Sequence, residues 1–410
     1  MRKSTILQNG LTIVTESVAS VRSVALGFWV RTGSRNEFDE VAGISHFLEH
    51  AIFKGTTNRN VYDIANELES VGGTLNAFTS QEYTCFHARV LSEHLNIAVN
   101  ILSDILLNPT FPKAEIEREK EVVLDELRDY QDMPDDVIFE HFDAHIFPNH
   151  NLGKPVIGNE SSIRQFNSDK LNQYLNENYT PEKIVIVAAG FVEHEQLLNF
   201  VDAYFQIKRK TKIIGNIVPE NDARRGKYVF QKDISQSHMI YGTRTVSVHD
   251  NNRWPLAILN SILSGGMSAR LFQNIREKYG VAYSIFSFVN LYEDTGTFGI
   301  YCATEKSKSE KAIELIKQEL EIIKKQAIPE LELQRVKAQY KSGVVMSDES
   351  MERRMIRLGR QQMYYHRNFS LDEFMERIEA VTANQVLELA QELFNYDAFL
   401  TTILEGENTI

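Results

Sequence analysis

The feature that most limits the possible folds is an internal repeat at a spacing of 217 residues. At this spacing Cys85 falls on Cys302 and Pro112 falls on Pro329. The apolar positions of one amphipathic helix also coincide with those of another: Ala98, Val99, Ile105 and Leu106 fall on Leu315, Ile316, Ile322 and Ile323. A repeat of this kind indicates two copies of one structural plan. A chain of 410 residues is also too long for one ordinary core.

Each copy combines strand-like and helix-like segments. In the first copy, Asn9-Gly10 between apolar runs indicates a hairpin, and the apolar periodicity predicts helices at about 42–53, 61–71, 93–107 and 112–130. In the second copy, His238–Val246 takes the place of strand Val24–Val30. We therefore predict an α+β fold of two homologous domains, each a mostly antiparallel sheet with helices packed on one face. The expected boundaries are 1–209 for the first domain, 210–229 for a linker and 230–410 for the second domain.

Composition excludes several classes of function. The net charge of −12 argues against nucleic acid as a partner. Two cysteines far apart in the sequence do not make a disulfide framework, which favours a reducing compartment such as the cytoplasm. Since no secretory signal and no apolar run of about 18 residues occur, we expect no membrane segment.

The strongest sign of chemistry is the stretch His46-Phe47-Leu48-Glu49-His50, which reads H-x-x-E-H. On a helix, His46 and His50 would project from the same face, one turn apart, with Glu49 beside them. Two imidazoles can bind a metal ion, and a neighbouring carboxylate can deprotonate water. The corresponding helix of the second copy, Leu256–Leu263, has neither histidine nor glutamate. Only the first copy is therefore expected to bind metal.

A catalytic zinc site usually has three protein ligands. The helix predicted after Pro112 offers six acidic candidates: Glu115, Glu117, Glu119, Glu121, Asp125 and Glu126. Glu119 and Glu126 are seven residues apart and share a face, and spacing alone does not choose between them. For most of these residues the alternative is an ordinary solvated acidic helix.

Several stretches occur in a characteristic order along almost the whole chain. They are His46-Phe47-Leu48-Glu49-His50, Phe53-Lys54-Gly55-Thr56, Leu75-Asn76-Ala77-Phe78-Thr79, Glu119 with Glu126, Gly265-Gly266-Met267-Ser268-Ala269-Arg270-Leu271, and Arg276-Glu277-Lys278-Tyr279-Gly280-Val281-Ala282-Tyr283-Ser284. Together they resemble the pitrilysin family of zinc peptidases (inverzincins). Within it they look most like the processing-peptidase group, which includes mitochondrial processing peptidase and similar homodimeric bacterial proteases.

The resemblance implies a set of catalytic roles. His46, His50 and Glu126 would be the ligands of one zinc ion per chain. Glu49 would be the general base that takes a proton from zinc-bound water as it attacks a peptide carbonyl. Glu119 would be a carboxylate that supports the ligands. The implied function is a zinc-dependent endopeptidase that cleaves peptides or unfolded polypeptide segments in a closed dimeric chamber.

The resemblance also implies substrate-binding residues: Phe53, Asn76, Ala77, Phe78, Asp136 and Glu140. The strand that contains Asn76 and Ala77 would be a sheet edge to which the substrate backbone adds as a further strand; an ordinary buried strand is the alternative. Phe53 would line the pocket for the residue after the cleaved bond. Asp136 and Glu140 would bind a basic residue of the substrate that precedes the cleaved bond; the alternative is that they form only a solvated acidic patch.

Arg276 and Tyr283 match a pair in the metal-free half of the family. There the pair lies against the substrate backbone and helps to stabilise the developing oxyanion; packing in the second core is the alternative. Since this chain carries both the pair and the metal motif, the resemblance implies a homodimer in which each zinc site is completed by the partner's second domain.

Two other classes of function remain open. A noncatalytic structural subunit, such as the core proteins of respiratory complexes, would be expected to have lost its metal ligands. A metal hydrolase with a nonpeptide substrate would leave Asn76, Ala77, Arg276 and Tyr283 without their implied roles.

Overall fold

A computed structural model of the chain describes residues 1–209, 218–220 and 222–406. These residues form two compact units, each with one sheet and its helices. The first unit contains Met1–Asp129, 154–209 and Ser347–Asn368, and the second contains Tyr130–Gly153, the described part of 218–346 and 369–406. The predicted α+β fold with two sheet-containing domains is confirmed. No helix in the described ranges is long and apolar enough to cross a bilayer.

Both units contain strands and helices. The strands are β1 Arg2–Ile6, β2 Thr12–Ser17, β3 Ser23–Val30, β4 Thr74–Thr79, β5 Thr84–Leu91, β6 Ile184–Gly190, β7 Gly226–Gln231, β8 Ser237–Thr245, β9 Ala282–Leu291, β10 Gly296–Thr304 and β11 Leu400–Glu405. The helices are α1 Ile44–Ala51, α2 Val61–Glu69, α3 Leu95–Leu107, α4 Lys113–Asp132, α5 Pro134–Ile146, α6 Glu160–Ile163, α7 Ser168–Asn178, α8 His194–Tyr204, α9 Arg253–Ser264, α10 Ser309–Lys325, α11 Glu330–Ser347, α12 Met351–Tyr365, α13 Leu371–Glu379 and α14 Ala383–Leu393.

The two sheets share one topology. The strand order of the first sheet is β1-β2-β6-β3-β5-β4, and that of the second is β7-β11-β8-β10-β9. Without β1 the orders correspond strand for strand, and in both sheets only the pair β2–β6 or β7–β11 is parallel. The internal repeat of the sequence is therefore a repeat of topology. It leaves β4 as an edge strand of the first sheet and β9 as an edge strand of the second.

One helix in each unit comes from the opposite half of the sequence. In the first unit α12 packs against β3 and β6, and in the second unit α5 packs against β8 and β11. The two helices are themselves repeats, because α12 begins where a shift of 217 residues places the start of α5. The units therefore differ from the predicted domains 1–209 and 230–410 in the segments 130–153 and 347–368. The sequence did not predict this exchange.

The predicted linker at 210–229 is described only in part. Residues 210–217 and 221 lie outside the described residues. The last part of the predicted linker is not a connection, because β7 begins at Gly226. There the chain pairs with β11 in a parallel register.

Two glycines allow α12 to approach its sheet closely. A methyl group on Gly27 of β3 would overlap the side chain of Met355, and one on Gly359 of α12 would overlap the indole ring of Trp29. At the same contact the indole N–H of Trp29 donates a hydrogen bond to Met355 Sδ at 3.3 Å. The missing side chains of these glycines let α12 pack closely on the sheet, in addition to the burial of apolar side chains.

We expect Gly359→Ala to destabilise the protein by about 1–3 kcal/mol, because the added methyl group overpacks the contact with Trp29. Gly343→Ala is a matched control, since Gly343 also lies within a helix but its added methyl group would meet no atom within 4 Å. The control should be neutral or about 0.5–1 kcal/mol more stable. Urea unfolding followed by tryptophan fluorescence measures both, and equal stability of the two variants would show that α12 does not need the close contact.

Candidate metal centre

Helix α1 begins at a residue that has no side chain to cap it. Gly43 is the N-cap residue, with φ of +89°, and the first N–H groups of a helix need acceptors from outside it. The buried carboxylate of Glu37 supplies them: it accepts hydrogen bonds from the backbone N–H of Gly43 at 2.6 Å and of Ser45 at 2.8 Å. The first turn of α1 is thereby held in place next to His46.

Helices α1 and α4 bring three predicted ligands together. His46 and His50 lie one turn apart on α1, with ring centroids 4.7 Å apart. Glu126 of α4 places Oε1 3.7 Å from His46 Nε2 and Oε2 3.6 Å from His50 Nε2. These distances are too long for hydrogen bonds, but they are close to the roughly 3.3 Å that separates ligand atoms around a tetrahedral zinc ion. Among the described residues this is the one group of His, Cys, Asp and Glu side chains close enough to hold a metal ion.

Glu119 and Glu126, which spacing alone left equivalent, have different surroundings. Glu119 Oε1 accepts a hydrogen bond from His50 Nδ1 at 2.9 Å, and its Oε2 lies 2.6 Å from Lys54 Nζ. Burial acts to raise the pKa of Glu119, but the bonds from His50 and Lys54 outweigh it and hold the pKa below its usual value. Because an ionised carboxylate only accepts, Nδ1 of His50 carries a proton and Nε2 faces Glu126. Burial acts to lower the pKa of His50, but the hydrogen bond to Glu119 and the charges of Glu126, Glu119 and Glu49 outweigh it and raise the pKa.

The electrostatics of the triad suit a cation. Burial, with repulsion from His50, lowers the pKa of His46 to about 4, so that its imidazole is neutral near pH 7. Its buried Nδ1 has no hydrogen-bond partner among the described residues. Burial raises the pKa of Glu126; the nearby His50 opposes this rise, and repulsion from Glu119 and Asp129 adds to it. Neutral imidazole and carboxylate are the zinc ligands of catalytic sites, so the residues present fit this metal.

Glu49 lies beside the triad and contacts the edge strand. Thr79, the last residue of β4, donates a hydrogen bond from its hydroxyl to Glu49 Oε2 at 2.5 Å. Burial raises the pKa of Glu49, while the hydrogen bond from Thr79 and the nearby His50 oppose this rise. A carboxylate with a raised pKa is a better proton acceptor near neutral pH.

The predicted substrate residues of the first unit lie on or beside β4. Asn76 is exposed, and Ala77 is partly exposed and donates its backbone N–H to Asn76 Oδ1 at 2.9 Å. The ring of Phe78 packs edge-on against Trp29, with centroids 5.6 Å apart. Phe53 is partly buried, and its ring lies 6.2 Å from that of Phe86. The open edge of β4 is thus available at Asn76 and Ala77, whereas Phe78 is engaged in packing.

The other predicted residues lie in the second unit. Asp136 and Glu140 are on α5; burial raises the pKa of both carboxyls, and repulsion from Asp136 adds to the rise at Glu140. Among the described residues no positively charged side chain lowers the pKa of either carboxyl. Arg276 is exposed and lies over the ring of Phe272 at 4.9 Å, and the exposed Tyr283 donates its hydroxyl to Glu305 at 3.1 Å. The structure does not bring these four residues into the unit that holds the triad.

Sequence reasoning missed three residues that support the site. Lys54 follows His50 by four residues, one helical turn, which is a signal that was available. Thr79 ends the strand motif and was likewise visible in the sequence. Glu37 had no usable signal, because a helix cap supplied from six residues before the N-cap leaves no local pattern.

Comparison with known proteins gives consistent results for both halves. Residues 12–160 match the family described as insulinase (peptidase family M16), and residues 165–340 match the peptidase M16 inactive domain. The second match agrees with the absence of a metal-binding group from the described residues of the second unit.

Similar proteins cover the chain almost from end to end. An uncharacterized zinc protease of Bacillus subtilis, YmxG, is 38% identical over 402 residues, which are 98% of each chain. An uncharacterized zinc protease of Mycobacterium tuberculosis is 35% identical over 398 residues, which are 96% of this chain and 91% of the relative. A solved protease from Helicobacter pylori superposes with a TM-score of 0.90 at 20% identity, covering 99% of both chains. At that identity the likeness shows the shared fold alone.

Glu37 should produce a characteristic pH dependence of stability. Burial raises its pKa from 4.5 to about 7, against the hydrogen bonds from Ser45 and Gly43. Between these values the folded chain holds a proton that the unfolded chain lacks, so stability falls as the pH rises through this window. Relative to Glu37→Gln, which does not titrate, the wild type should lose on the order of 3 kcal/mol between pH 4.5 and 7. Urea unfolding with chelator present measures the difference, and identical pH slopes would contradict it.

Proposed function

The chain belongs to the M16 family of peptidases, the pitrilysin family that its motifs predict, and we propose that it is a zinc-dependent endopeptidase for peptides or unfolded polypeptide segments. The full-length relatives named zinc proteases support the metal and the reaction class. Membership of the narrower processing-peptidase group stays a prediction. The cytoplasmic location also stays a prediction, favoured by two cysteines that are both buried and unpaired.

The observation that carries the proposal is the triangle of His46, His50 and Glu126. Its ligand atoms are at metal-binding distances rather than hydrogen-bonding distances. Zinc held by these residues would polarise a peptide carbonyl and lower the pKa of water. One protein chain thus supplies a ligand set that is complete except for the open position that catalysis needs.

Glu49 is proposed as the general base. Thr79 holds its Oε2, and the other oxygen makes no hydrogen bond within the described residues, so that it can accept a proton from the attacking water. Later the same carboxyl can return the proton to the amine that leaves. Glu119 orients His50 from behind and takes no part in the bond cleavage.

The edge strand β4 is the proposed binding site for the substrate backbone. Added strands pair through main-chain groups, so affinity depends little on side-chain identity, as a peptidase for unfolded segments requires. Asn76 and Ala77 are the proposed contact positions, and Asn76 must release the N–H of Ala77 when a substrate strand pairs there. Phe53 would select an apolar residue after the cleaved bond, with Phe78 supporting the strand, and Asp136 with Glu140 would select a basic residue before it.

Arg276 and Tyr283 are proposed to stabilise the oxyanion from a second copy of the chain. Both side chains are exposed and belong to the unit without the metal triad. We therefore propose a homodimer that encloses a chamber, in which each zinc site is completed by the second unit of the partner.

Glu49→Gln should lower peptide cleavage by roughly 100- to 10,000-fold without loss of bound zinc, because it removes the base but no ligand. The substrate is an unstructured peptide with one arginine followed by a bulky apolar residue, and cleavage sites are read by mass spectrometry. Glu121→Gln, an exposed residue of α4, is the matched control and should keep full activity. Full activity of Glu49→Gln, or no chelator-sensitive cleavage by the wild type, would overturn the proposal. Cleavage away from the arginine would remove the roles of Asp136 and Glu140.

A mixed dimer tests the proposed sharing of sites. Glu49→Gln lacks the base, and an Arg276→Ala, Tyr283→Phe double variant lacks the oxyanion pair, so each homodimer should be inactive. A dimer of one chain of each kind, purified through two different tags, should recover about half of the wild-type activity, because one of its two sites is then complete. An inactive mixed dimer would mean that the pair acts within its own chain, and an active double-variant homodimer would mean that the pair takes no part in catalysis.

A further inference from the structure

We propose that Lys54 is a positioning residue of the metal centre. It acts on His50 through Glu119, and the turn that contains Lys54 is held in place by hydrogen bonds to Asp104. The inference rests on the proposed zinc site. It concerns how the ligand His50 is held in position, which a measurement of peptidase activity alone would not reveal. It assigns a role to the Lys54-Gly55-Thr56 segment that follows the metal-binding helix.

Lys54 and His50 hold the two oxygens of one buried carboxylate. Glu119 is 5% exposed; its Oε1 accepts from His50 Nδ1 at 2.9 Å, and its Oε2 lies 2.6 Å from Lys54 Nζ. With both oxygens engaged, the carboxylate cannot rotate about its last bond without breaking one contact. Glu119 therefore stays oriented to accept the hydrogen bond from Nδ1 of His50, and this fixes the ring so that Nε2 faces Glu126.

The turn that carries Lys54 is fixed by hydrogen bonds to the end of α1 and to Thr110. The backbone N–H of Lys54 donates to Ala51 O at 3.0 Å, continuing the last turn of α1. Gly55 has φ of +123°, a conformation that favours glycine, and its carbonyl accepts from the N–H of Thr110 at 3.0 Å and from its hydroxyl at 3.1 Å. The lysine thus leaves α1 in one defined direction.

Asp104 closes the other side of this turn. The buried carboxylate of Asp104 accepts from the hydroxyl of Thr56 at 2.7 Å and from Arg59 Nη1 at 2.8 Å. Thr56 in turn donates its backbone N–H to Arg59 O at 2.8 Å. These bonds connect α3 to the turn, and Lys54 connects the turn to Glu119 of α4. The orientation of His50 therefore depends on residues of α3 and α4.

A lysine–glutamate pair whose carboxylate contacts no zinc ligand would not have this effect, and the chain contains one for comparison. Lys120 of α4 is itself buried and pairs with Glu117 at 2.8 Å, but the carboxylate of Glu117 is more than half exposed and contacts no ligand of the triad. Lys120→Met therefore removes a lysine–glutamate pair of similar length from the same region without changing the surroundings of His50.

The test is the zinc affinity of the full-length protein, measured by competition with a chromophoric chelator. Lys54→Met should weaken zinc binding roughly 10- to 100-fold, the range for loss of a partner behind a metal ligand. Lys54→Arg, which keeps the charge and the donor, should restore most of the affinity, and Lys120→Met should leave it unchanged. Asp104→Asn should weaken binding in the same direction by a smaller factor.

A double-variant cycle separates positioning from general destabilisation. If Lys54 acts through Glu119, adding Lys54→Met to Glu119→Gln should cause no further loss of zinc affinity. Wild-type affinity of Lys54→Met, or losses that multiply in the double variant, would overturn the inference. Should Lys54→Met fail to fold, Lys54→Arg and the Asp104→Asn cycle with Glu119→Gln decide the question. Since affinity is measured without substrate, a failure of the peptidase proposal gives a different result: normal zinc binding and no cleavage.

Discussion

The whole site depends on the approach of one carboxylate to two imidazoles. Glu126 is held 3.6–3.7 Å from the ring nitrogens of His46 and His50, where neither can give it a hydrogen bond. Partial burial raises the pKa of Glu126, and only the nearby charge of His50 acts against this rise. A divalent cation held by the three side chains would compensate the charge of Glu126 more fully. Metal binding and local stability are therefore expected to be coupled.

Each proposed functional group of α1 is supported by a different part of the first unit. Glu37 satisfies the first turn of the helix, Glu119 orients His50, and Thr79 holds Glu49. The last contact joins the proposed base to the strand on which the substrate is proposed to bind. Under the proposed function, binding of a peptide on β4 would therefore affect the orientation of Glu49 through Thr79. Such support from rigid elements is what keeps a catalytic group within a fraction of an ångström of its working position.

The exchange of α5 and α12 changes how the repeat should be understood. Each sheet is covered on its second face by a helix from the other half of the chain, so neither half of the sequence contains a complete unit. The exchange also separates predicted site residues that are near in sequence. Glu126 and Asp136 are only ten residues apart, yet Glu126 belongs to the unit with the triad and Asp136 to the other.

The sequence by itself determined the repeat, the α+β class, the pairing of His46 with His50 and the position of Glu49, because all of these follow from spacing along one helix or from a shift of the chain against itself. The order of motifs further indicated the family. Spacing could not separate Glu126 from Glu119, since two residues seven apart share a helix face; the family resemblance chose Glu126, and the approach of α1 gives the two carboxylates different contacts. Tertiary structure alone placed α5 and α12, because an amphipathic pattern shows that a helix buries one face but not which sheet receives it.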